Sequence, residues 1–322
     1  MSLERIKSGS FLVIGRAGMD LYADPPGTTI EAARAFFPAL GGSAANIASA
    51  ITRLGHKAVL VTTVSDDAVG RYVIGQLKHY GVVTDHIRSV KGEERTSLAV
   101  VETRADNCQS VLYRNNAADF AFSSHDVKLI DYQNAAALVV TGTSFAIEPS
   151  RSASFEALNL ARAAECPVII DVDYRPYSWA SREEAAMICG KAAAQADILI
   201  GNDEEFAVLA GKADGLSYAR SCAEKSGSII VYKRGEKGLI AFADGEVIAM
   251  GIYPVTALKP TGAGDAFMGG FVTGLAEGLS LRHSLQRGAA SAALVVTRVG
   301  CSPANPTPNE LQSFLATHHI NQ

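Results

Sequence analysis

The residues with the clearest chemical potential form one short run, Gly262-Ala263-Gly264-Asp265, directly before an apolar helical pattern. The first backbone N–H groups of a helix lack acceptors within it, and with the positive end of the helix dipole they form an anion site. A carboxylate beside such a site would repel the anion, so Asp265 needs another purpose. We expect Asp265 to be a general base for an attacking hydroxyl, while Gly262, Ala263 and Gly264 hold the charge of a transferred phosphoryl group. The alternative is an ordinary helix N-terminus with an acidic first turn.

A second motif, Gly41-Gly42-Ser43-Ala44-Ala45-Asn46, opens another helical pattern nearer the N-terminus. The two motifs in this order resemble the ribokinase-like (PfkB) family of carbohydrate kinases, and the resemblance extends over residues 11–308. It implies an ATP-dependent kinase that phosphorylates a hydroxyl of a small sugar or sugar acid. Asp20 follows the first predicted strand, where ligands of open α/β sheets bind. The expected sugar contacts are therefore Asp20, Gly41, Gly42 and Asn46, with a plain polar first-turn residue as the alternative for Asn46.

Two further stretches are similar to the family's nucleotide and metal motifs. Asn202 and Glu205 match an Asn-x-x-Glu motif, which implies Mg²⁺ held largely through water, since Mg²⁺ takes few protein ligands. An acidic helix N-terminus is the alternative. The run from Lys233 to Gly238 resembles the stretch near the phosphates of ATP, with a solvated β-turn as the alternative. The resemblance thus implies nucleotide contacts from Asn202, Lys233, Gly235 and Gly238, and from Pro303 beside the adenine.

Two arginines suggest an acidic substrate. Arg114 ends a predicted strand, and Arg175 lies in the run Asp-Val-Asp-Tyr-Arg-Pro-Tyr-Ser-Trp, just past another strand. An arginine fork matches a carboxylate bidentately, although Arg175 could instead pair with Asp171 or Asp173. The run resembles 5-dehydro-2-deoxygluconate kinases of inositol catabolism, and it is also similar to 2-keto-3-deoxygluconate kinases. A neutral-sugar kinase of the fructokinase or ribokinase type and a nucleoside kinase stay as alternatives. A catalytically silent sugar sensor is a further alternative, but it should have lost Asp265 or the glycines, and both are present.

The run before the catalytic motif departs from the family pattern. Leu258-Lys259-Pro260 stands where the family commonly has an acidic residue that helps to build a potassium site. We therefore expect the Lys259 ammonium to occupy that place and activity to be independent of added K⁺.

The elements that must position these residues follow a regular order. From residue 136 onward, short apolar strand patterns alternate with helical patterns, which indicates a parallel sheet covered on both faces. We expect a three-layer, doubly wound, mostly parallel α/β fold in one domain over residues 1–322. The resemblance implies that segments 21–40 and 96–115 form a small β lid over the substrate. In relatives another subunit's lid often covers its free face, so we expect a homodimer.

Composition excludes several other classes. The net charge of −4 and the absence of long Lys/Arg runs argue against nucleic acid as a partner. No apolar run reaches the ~18 residues of a membrane span, so we expect no membrane association. The five cysteines lack Cys-x-x-Cys spacing, which favours a cytoplasmic protein over a zinc or disulfide protein. The motifs of P-loop kinases, protein kinases and Rossmann dehydrogenases are also missing.

Overall fold

A nine-stranded sheet forms the middle layer of the structure, a computed structural model that describes Ile6 and residues 9–211 and 213–321. In these residues the strands are β1 (Ser10–Ile14), β2 (Gly18–Asp24), β3 (Ala35–Gly41), β4 (Lys57–Ser65), β5 (Ile87–Val90), β6 (Ser97–Val101), β7 (Ser110–Tyr113), β8 (Ala135–Thr141), β9 (Val168–Asp171), β10 (Ile198–Asn202), β11 (Ile229–Lys233), β12 (Leu239–Ala243) and β13 (Glu246–Met250). The helices are α1 (Ser43–Arg53), α2 (Ala68–His79), α3 (Ser124–Lys128), α4 (Ser150–Ala163), α5 (Arg182–Ala193), α6 (Asp203–Ala210), α7 (Gly215–Ser226), α8 (Ala263–Ala276), α9 (Leu281–Val296) and α10 (Pro308–Thr317).

The large sheet has the order β13-β12-β11-β10-β9-β8-β1-β4-β5. Neighbours from β11 to β5 are parallel, whereas β12 and β13 add an antiparallel edge. Successive residues of β1 enter different cores: Leu12 and Ile14 pack in one cluster, and Phe11 and Val13 pack in the other. Because side chains of a strand alternate between faces, the sheet is covered on both sides. The predicted three-layer, mostly parallel α/β fold is confirmed.

A second, four-stranded sheet has the order β3-β2-β6-β7. Strands β6 and β7 pair antiparallel within the segment that we expected to contribute to the lid, residues 96–115. Tyr22, Ala39, Ala99 and Val101 form a small core with Cys301 on the inner face of this sheet. The small second sheet that we expected as a lid is therefore present, and it begins at Gly18, three residues before the predicted start.

Helix α8 carries the Gly-Ala-Gly-Asp motif and is buried from Ala266 to Leu275. Helix α9 packs against it: a Cβ at Gly288 would lie 2.9 Å from the Phe267 carbonyl oxygen. Among the described helices, none is both long and apolar enough to cross a membrane.

Candidate active site

The carboxyl ends of the parallel strands lie at one edge of the sheet and present a row of polar side chains. Lys233 ends β11, Asn202 ends β10, Asp171 ends β9 and Thr141 ends β8. Arg16 follows β1 after a single glycine. Since these strands are neighbours in the sheet, the row brings together residues that are more than 200 positions apart in the sequence.

The N-terminus of α8 contacts this row. Gly262 is its N-cap and has φ 84°, a left-handed conformation that favours glycine. A Cβ there would also lie 2.7 Å from Cys301 Sγ. A Cβ at Gly264 would lie 3.4 Å from Lys233 Nζ, so the Lys233 ammonium lies beside the first turn of the helix. The first-turn N–H groups, which include those of Ala263 and Gly264, and a lysine cation thus converge, as an anion site requires.

The predicted base, Asp265, lies in the first turn of α8. Burial raises the pKa of Asp265 to about 7, the negative charge of Asp173 adds to this effect, and a hydrogen bond from Asn46 opposes it. A base is most effective when its pKa is close to the operating pH. The environment of Asp265 therefore suits proton abstraction from a hydroxyl.

Asn46 is buried and orients this carboxylate. Its Nδ2 donates to Asp265 Oδ2 at 2.9 Å, and its Oδ1 accepts from Ser302 Oγ at 2.7 Å. We predicted that Asn46 binds a sugar hydroxyl, which stays a prediction. The contacts that the structure shows give Asn46 a positioning role, because both ends of its amide are already engaged.

Burial and like charge raise carboxyl pKa values beside Lys233. Lys233 Nζ lies 3.8 Å from Asp171 Oδ1. Burial raises the pKa of Glu205 to about 7 and that of Asp171 above its ordinary value, and Lys233 opposes both shifts. Burial lowers the pKa of Lys233, but Asp171 and Glu205 outweigh burial and leave it above its usual value. One ammonium therefore faces two desolvated carboxyl groups.

Asn202 and Glu205 form a capping box at the N-terminus of α6. Asn202 Oδ1 accepts from Glu205 N at 2.8 Å, and Glu205 Oε2 accepts from Asn202 N at 2.6 Å. The structure thus shows the acidic helix N-terminus that we considered as the alternative. Water-mediated Mg²⁺ binding stays a prediction, and each capping oxygen keeps a lone pair for it.

The two predicted carboxylate receptors both have acidic partners. Arg114 is buried, forms an ion pair with Asp119 and donates to Ser178 Oγ at 3.1 Å. Arg175 Nη2 lies 2.9 Å from Asp173 Oδ1, which is the alternative pairing considered above, and its side chain is 45% exposed. Their roles in substrate binding stay predictions, and in this structure the two guanidinium groups stabilise the loops around the site.

Asp20 and the glycine pair lie together at the other end of the row. A Cβ at Gly41 would overlap the Asp20 carboxylate, and a Cβ at Gly42, which has φ 95°, would lie 2.5 Å from the Arg16 carbonyl oxygen. Asp20 is buried and accepts a hydrogen bond from Tyr22 Oη at 3.2 Å. Asp20, Gly41 and Gly42 are thus neighbours, as a shared sugar site would need.

The remaining predicted nucleotide contacts divide into two groups. Gly235 is exposed with open space above its Cα, and Gly238 is buried against the Met250 carbonyl group. Pro303 lies in a 3₁₀ turn between Ser302 and Ala304, and Ser302 contacts Asn46. The position of Pro303 beside the adenine stays a prediction.

Lys259 is fully buried below the start of α8. Its Nζ donates to the carbonyl oxygens of Thr261 at 2.5 Å and Val295 at 3.4 Å. No ion pair involving Lys259 is found in the described ranges. Burial lowers its pKa, while nearby acidic groups such as Cys301 and Asp265 oppose the shift. An ammonium held by carbonyl oxygens has the surroundings of a bound monovalent cation.

Asp173 organises the site, although from the sequence we considered it only as an alternative partner of Arg175. Its Oδ2 accepts from Ser43 Oγ at 2.7 Å and from Thr143 Oγ1 at 3.2 Å, and its Oδ1 pairs with Arg175. The available signal was its position two residues after the end of β9, at the carboxyl end of a parallel strand.

Comparison with known proteins agrees with this geometry. Residues 9–308 match the family described as pfkB family carbohydrate kinase. A 5-dehydro-2-deoxygluconokinase of Photobacterium profundum is 37% identical over 323 residues, which cover 98% of this chain and 98% of that protein. The structure of a Vibrio cholerae fructokinase double mutant, with fructose, ADP and a potassium ion bound, has a TM-score of 0.86 at 24% identity, with coverage of 96% and 99%. A Xylella fastidiosa fructokinase with bound ATP has a TM-score of 0.83 at 25% identity, with coverage of 95% and 98%. The resemblance inferred from the two glycine motifs is confirmed, and the chain belongs to the pfkB family of carbohydrate kinases.

Proposed function

We propose that this kinase transfers the γ-phosphoryl group of ATP to a hydroxyl of an acidic sugar, with 5-dehydro-2-deoxygluconate as the expected substrate. The observation that carries the proposal is the Asp265 carboxylate, which Asn46 holds at the N-terminus of α8 beside Lys233. The relative that is 37% identical over nearly the whole chain supports the choice of acid. The second candidate is a kinase of 2-keto-3-deoxygluconate or of a neutral sugar, of the fructokinase or ribokinase type.

In this mechanism Asp265 accepts the proton of the attacking hydroxyl as the new O–P bond forms. The N–H groups of the first turn of α8, including those of Ala263 and Gly264, stabilise the charge on the equatorial oxygens. Lys233 Nζ, next to Gly264, neutralises charge on the nucleotide phosphates. Asn46 keeps the carboxylate oriented, so the base need not reorganise during the reaction.

The acidic groups at the ends of β9 and β10 fit a divalent cation, for which we propose Mg²⁺. Asp171 and Glu205 are both buried, and burial raises both carboxyl pKa values. Carboxylate and amide oxygens are ligands that Mg²⁺ accepts, directly or through water. Glu205 with Asn202, helped by Asp171, would hold the ion, which when bound would neutralise charge on the phosphates of ATP. A cation would also relieve the repulsion between the two carboxylates.

We further propose a cytoplasmic homodimer that associates through the lid. None of the five cysteines, all of which lie in the described ranges, forms a disulfide, as expected for a reducing compartment. The outer face of the lid exposes large apolar side chains, among them Phe36, Val111 and Tyr113. A second copy of the same sheet would cover them.

A coupled assay of ADP release with Mg·ATP tests the proposed substrate. We expect 5-dehydro-2-deoxygluconate to give a higher kcat/KM than 2-keto-3-deoxygluconate, fructose or ribose at equal concentrations. The control is the same panel without enzyme and without sugar, which measures background ATP hydrolysis. A higher kcat/KM for fructose or ribose than for either acid would replace the sugar-acid proposal with a neutral-sugar kinase.

A further inference from the structure

Arg16, at the substrate end of the site, has no hydrogen-bond partner for its buried Nη1 among the residues that the structure describes. None of the ion pairs or side-chain hydrogen bonds found in the described ranges involves the Arg16 guanidinium group. A buried donor without an acceptor costs free energy, and more so when the group is charged. Arg16 therefore has a binding capacity that the folded chain leaves unused.

We infer that Arg16 receives the carboxylate of the acidic sugar, an inference that rests on the proposed function. Arg114 is bound to Asp119 and Ser178, and Arg175 to Asp173. A carboxylate would need to displace an existing acidic partner at either of them, whereas at Arg16 it fills an open position. A guanidinium fork can bind both oxygens of a carboxylate at once.

The position of Arg16 suits one end of a small substrate. The Arg16 carbonyl oxygen accepts from Ala45 N at 3.2 Å, and the next residue, Asn46, donates to Asp265. Consecutive residues at the start of α1 thus contact both Arg16 and the base. Asp20, whose pKa the positive charge of Arg16 lowers against the larger effect of burial, borders the same space. A sugar acid could present its hydroxyl to Asp265 and its carboxylate to Arg16.

The same geometry argues against a nucleotide phosphate as the anion. Lys233 ends β11, and Arg16 follows β1, with β10, β9 and β8 lying between the two strands. Four interstrand spacings of about 4.8 Å separate the strands by roughly 19 Å. The phosphates that Lys233 would hold therefore lie toward the β11 side of the site, whereas Arg16 lies on its β1 side, where Asn46 holds the base.

The test compares Arg16→Met with Arg175→Met as a matched control. Affinity for 5-dehydro-2-deoxygluconate and for fructose is measured by calorimetry without ATP, and KM by the coupled assay. For Arg16→Met we expect affinity for the acid to fall roughly ten- to a hundredfold, which corresponds to one charge-assisted hydrogen bond, and affinity for fructose to fall less than about threefold. Arg16→Lys should keep only part of the affinity for the acid, because the point charge of an ammonium cannot reproduce the two-pronged guanidinium contact. Arg175→Met should lower the melting temperature and affect both sugars alike.

Two results would overturn the inference. One is an equal loss for acid and fructose in Arg16→Met, with a lower melting temperature, which would mean that Arg16 only supports Asp20. The other is a selective loss for the acid in Arg175→Met, which would make Arg175 the receptor. A wild-type protein that binds the acid but does not phosphorylate it would refute the proposed function and leave the Arg16 comparison valid.

Discussion

The pKa of the Asp265 carboxyl is set by opposing influences, and the resulting value suits a general base. Burial and the charge of Asp173 favour its protonated form, whereas the Asn46 hydrogen bond favours the anion. An ordinary carboxylate with a pKa near 4 would accept a proton weakly. Raising the pKa to about 7 increases its basicity while leaving part of it ionised at neutral pH.

Replacing Asp265 with Asn should abolish phosphoryl transfer without emptying the site. The amide keeps the shape of the side chain but cannot accept the proton, and a positioned base is worth roughly 10²–10⁴ in rate. We expect kcat to fall by about that factor, with ATP and sugar dissociation constants changed by only about two- to threefold. Steady-state kinetics and calorimetry measure both. A variant that keeps more than about half of the wild-type kcat would remove the base assignment.

The pH dependence of kcat/KM follows from the same carboxylate. Below a pH of about 7 Asp265 is protonated and cannot act as a base, so kcat/KM should rise with pH through that value and then level off. Asn46→Ala removes the hydrogen bond that lowers the pKa, and should move the midpoint to higher pH. A midpoint near pH 4 in the wild type would contradict this view of the site.

Residues in contiguous motifs could be predicted from the sequence, and residues with distant partners could not. Gly262 to Asp265 form a local pattern whose chemistry follows from a helix N-terminus. The importance of Asp173 depends on Ser43, which is 130 residues away in the sequence. Arg16 is notable only because its Nη1 lacks a partner, and that becomes visible only when the surrounding chain is folded.

At the scale of elements, the loop before α8 is held by an internal cation. Lys259 Nζ binds the carbonyl oxygens of Thr261 and Val295, which join the start of α8 to α9. The tethered ammonium can neutralise these carbonyl dipoles, and it can add positive charge near the anion site.

Activity should therefore be independent of added K⁺. Assays in potassium-free and sodium-free buffer, with and without K⁺, measure this directly. Lys259→Met, which keeps the apolar stem, should lose activity, and added K⁺ should restore part of it if the carbonyl oxygens can hold the ion. Conversely, a roughly tenfold activation of the wild type by K⁺ would mean that a separate cation site survives. We expect no such activation, because Lys259 already supplies the positive charge that a bound K⁺ would add.

Most strands and helices could be predicted from local sequence patterns, because the buried apolar residues of each one lie close together in the sequence. Strand β9 consists of three apolar residues followed by Asp171, and all four are buried, so its apolar run identified it as a strand. Strand β5 was missed since its residues are exposed or only partly buried, and it pairs with β4 at the sheet edge. The direction of β12 and β13 was also not predicted, because antiparallel pairing depends on the short turns between β11, β12 and β13.

At the scale of the whole molecule, part of one face of the lid is exposed. Leu21 pairs with Pro38 and Val100, and Val100 pairs with Val111, so these residues share one face of the sheet. Val111 is 46% exposed, and Pro38 is exposed. Contiguous apolar residues on an open sheet face mark an interaction site more often than isolated ones do.

The wild-type protein should be a dimer in solution, and Val111→Asp should be largely monomeric. A charge in the middle of an apolar interface would lack a partner, so it should lower the association constant of the dimer several-fold or more. Light scattering coupled to size-exclusion chromatography measures the mass at micromolar concentration. Val247→Asp is the matched control, because Val247 is 49% exposed on β13 and lies outside the lid. It should stay dimeric.

If the lid needs its partner to close over the sugar, Val111→Asp should raise KM for the sugar and leave KM for ATP unchanged. A wild-type mass of one chain, or a dimer that Val111→Asp leaves intact, would refute association through the lid.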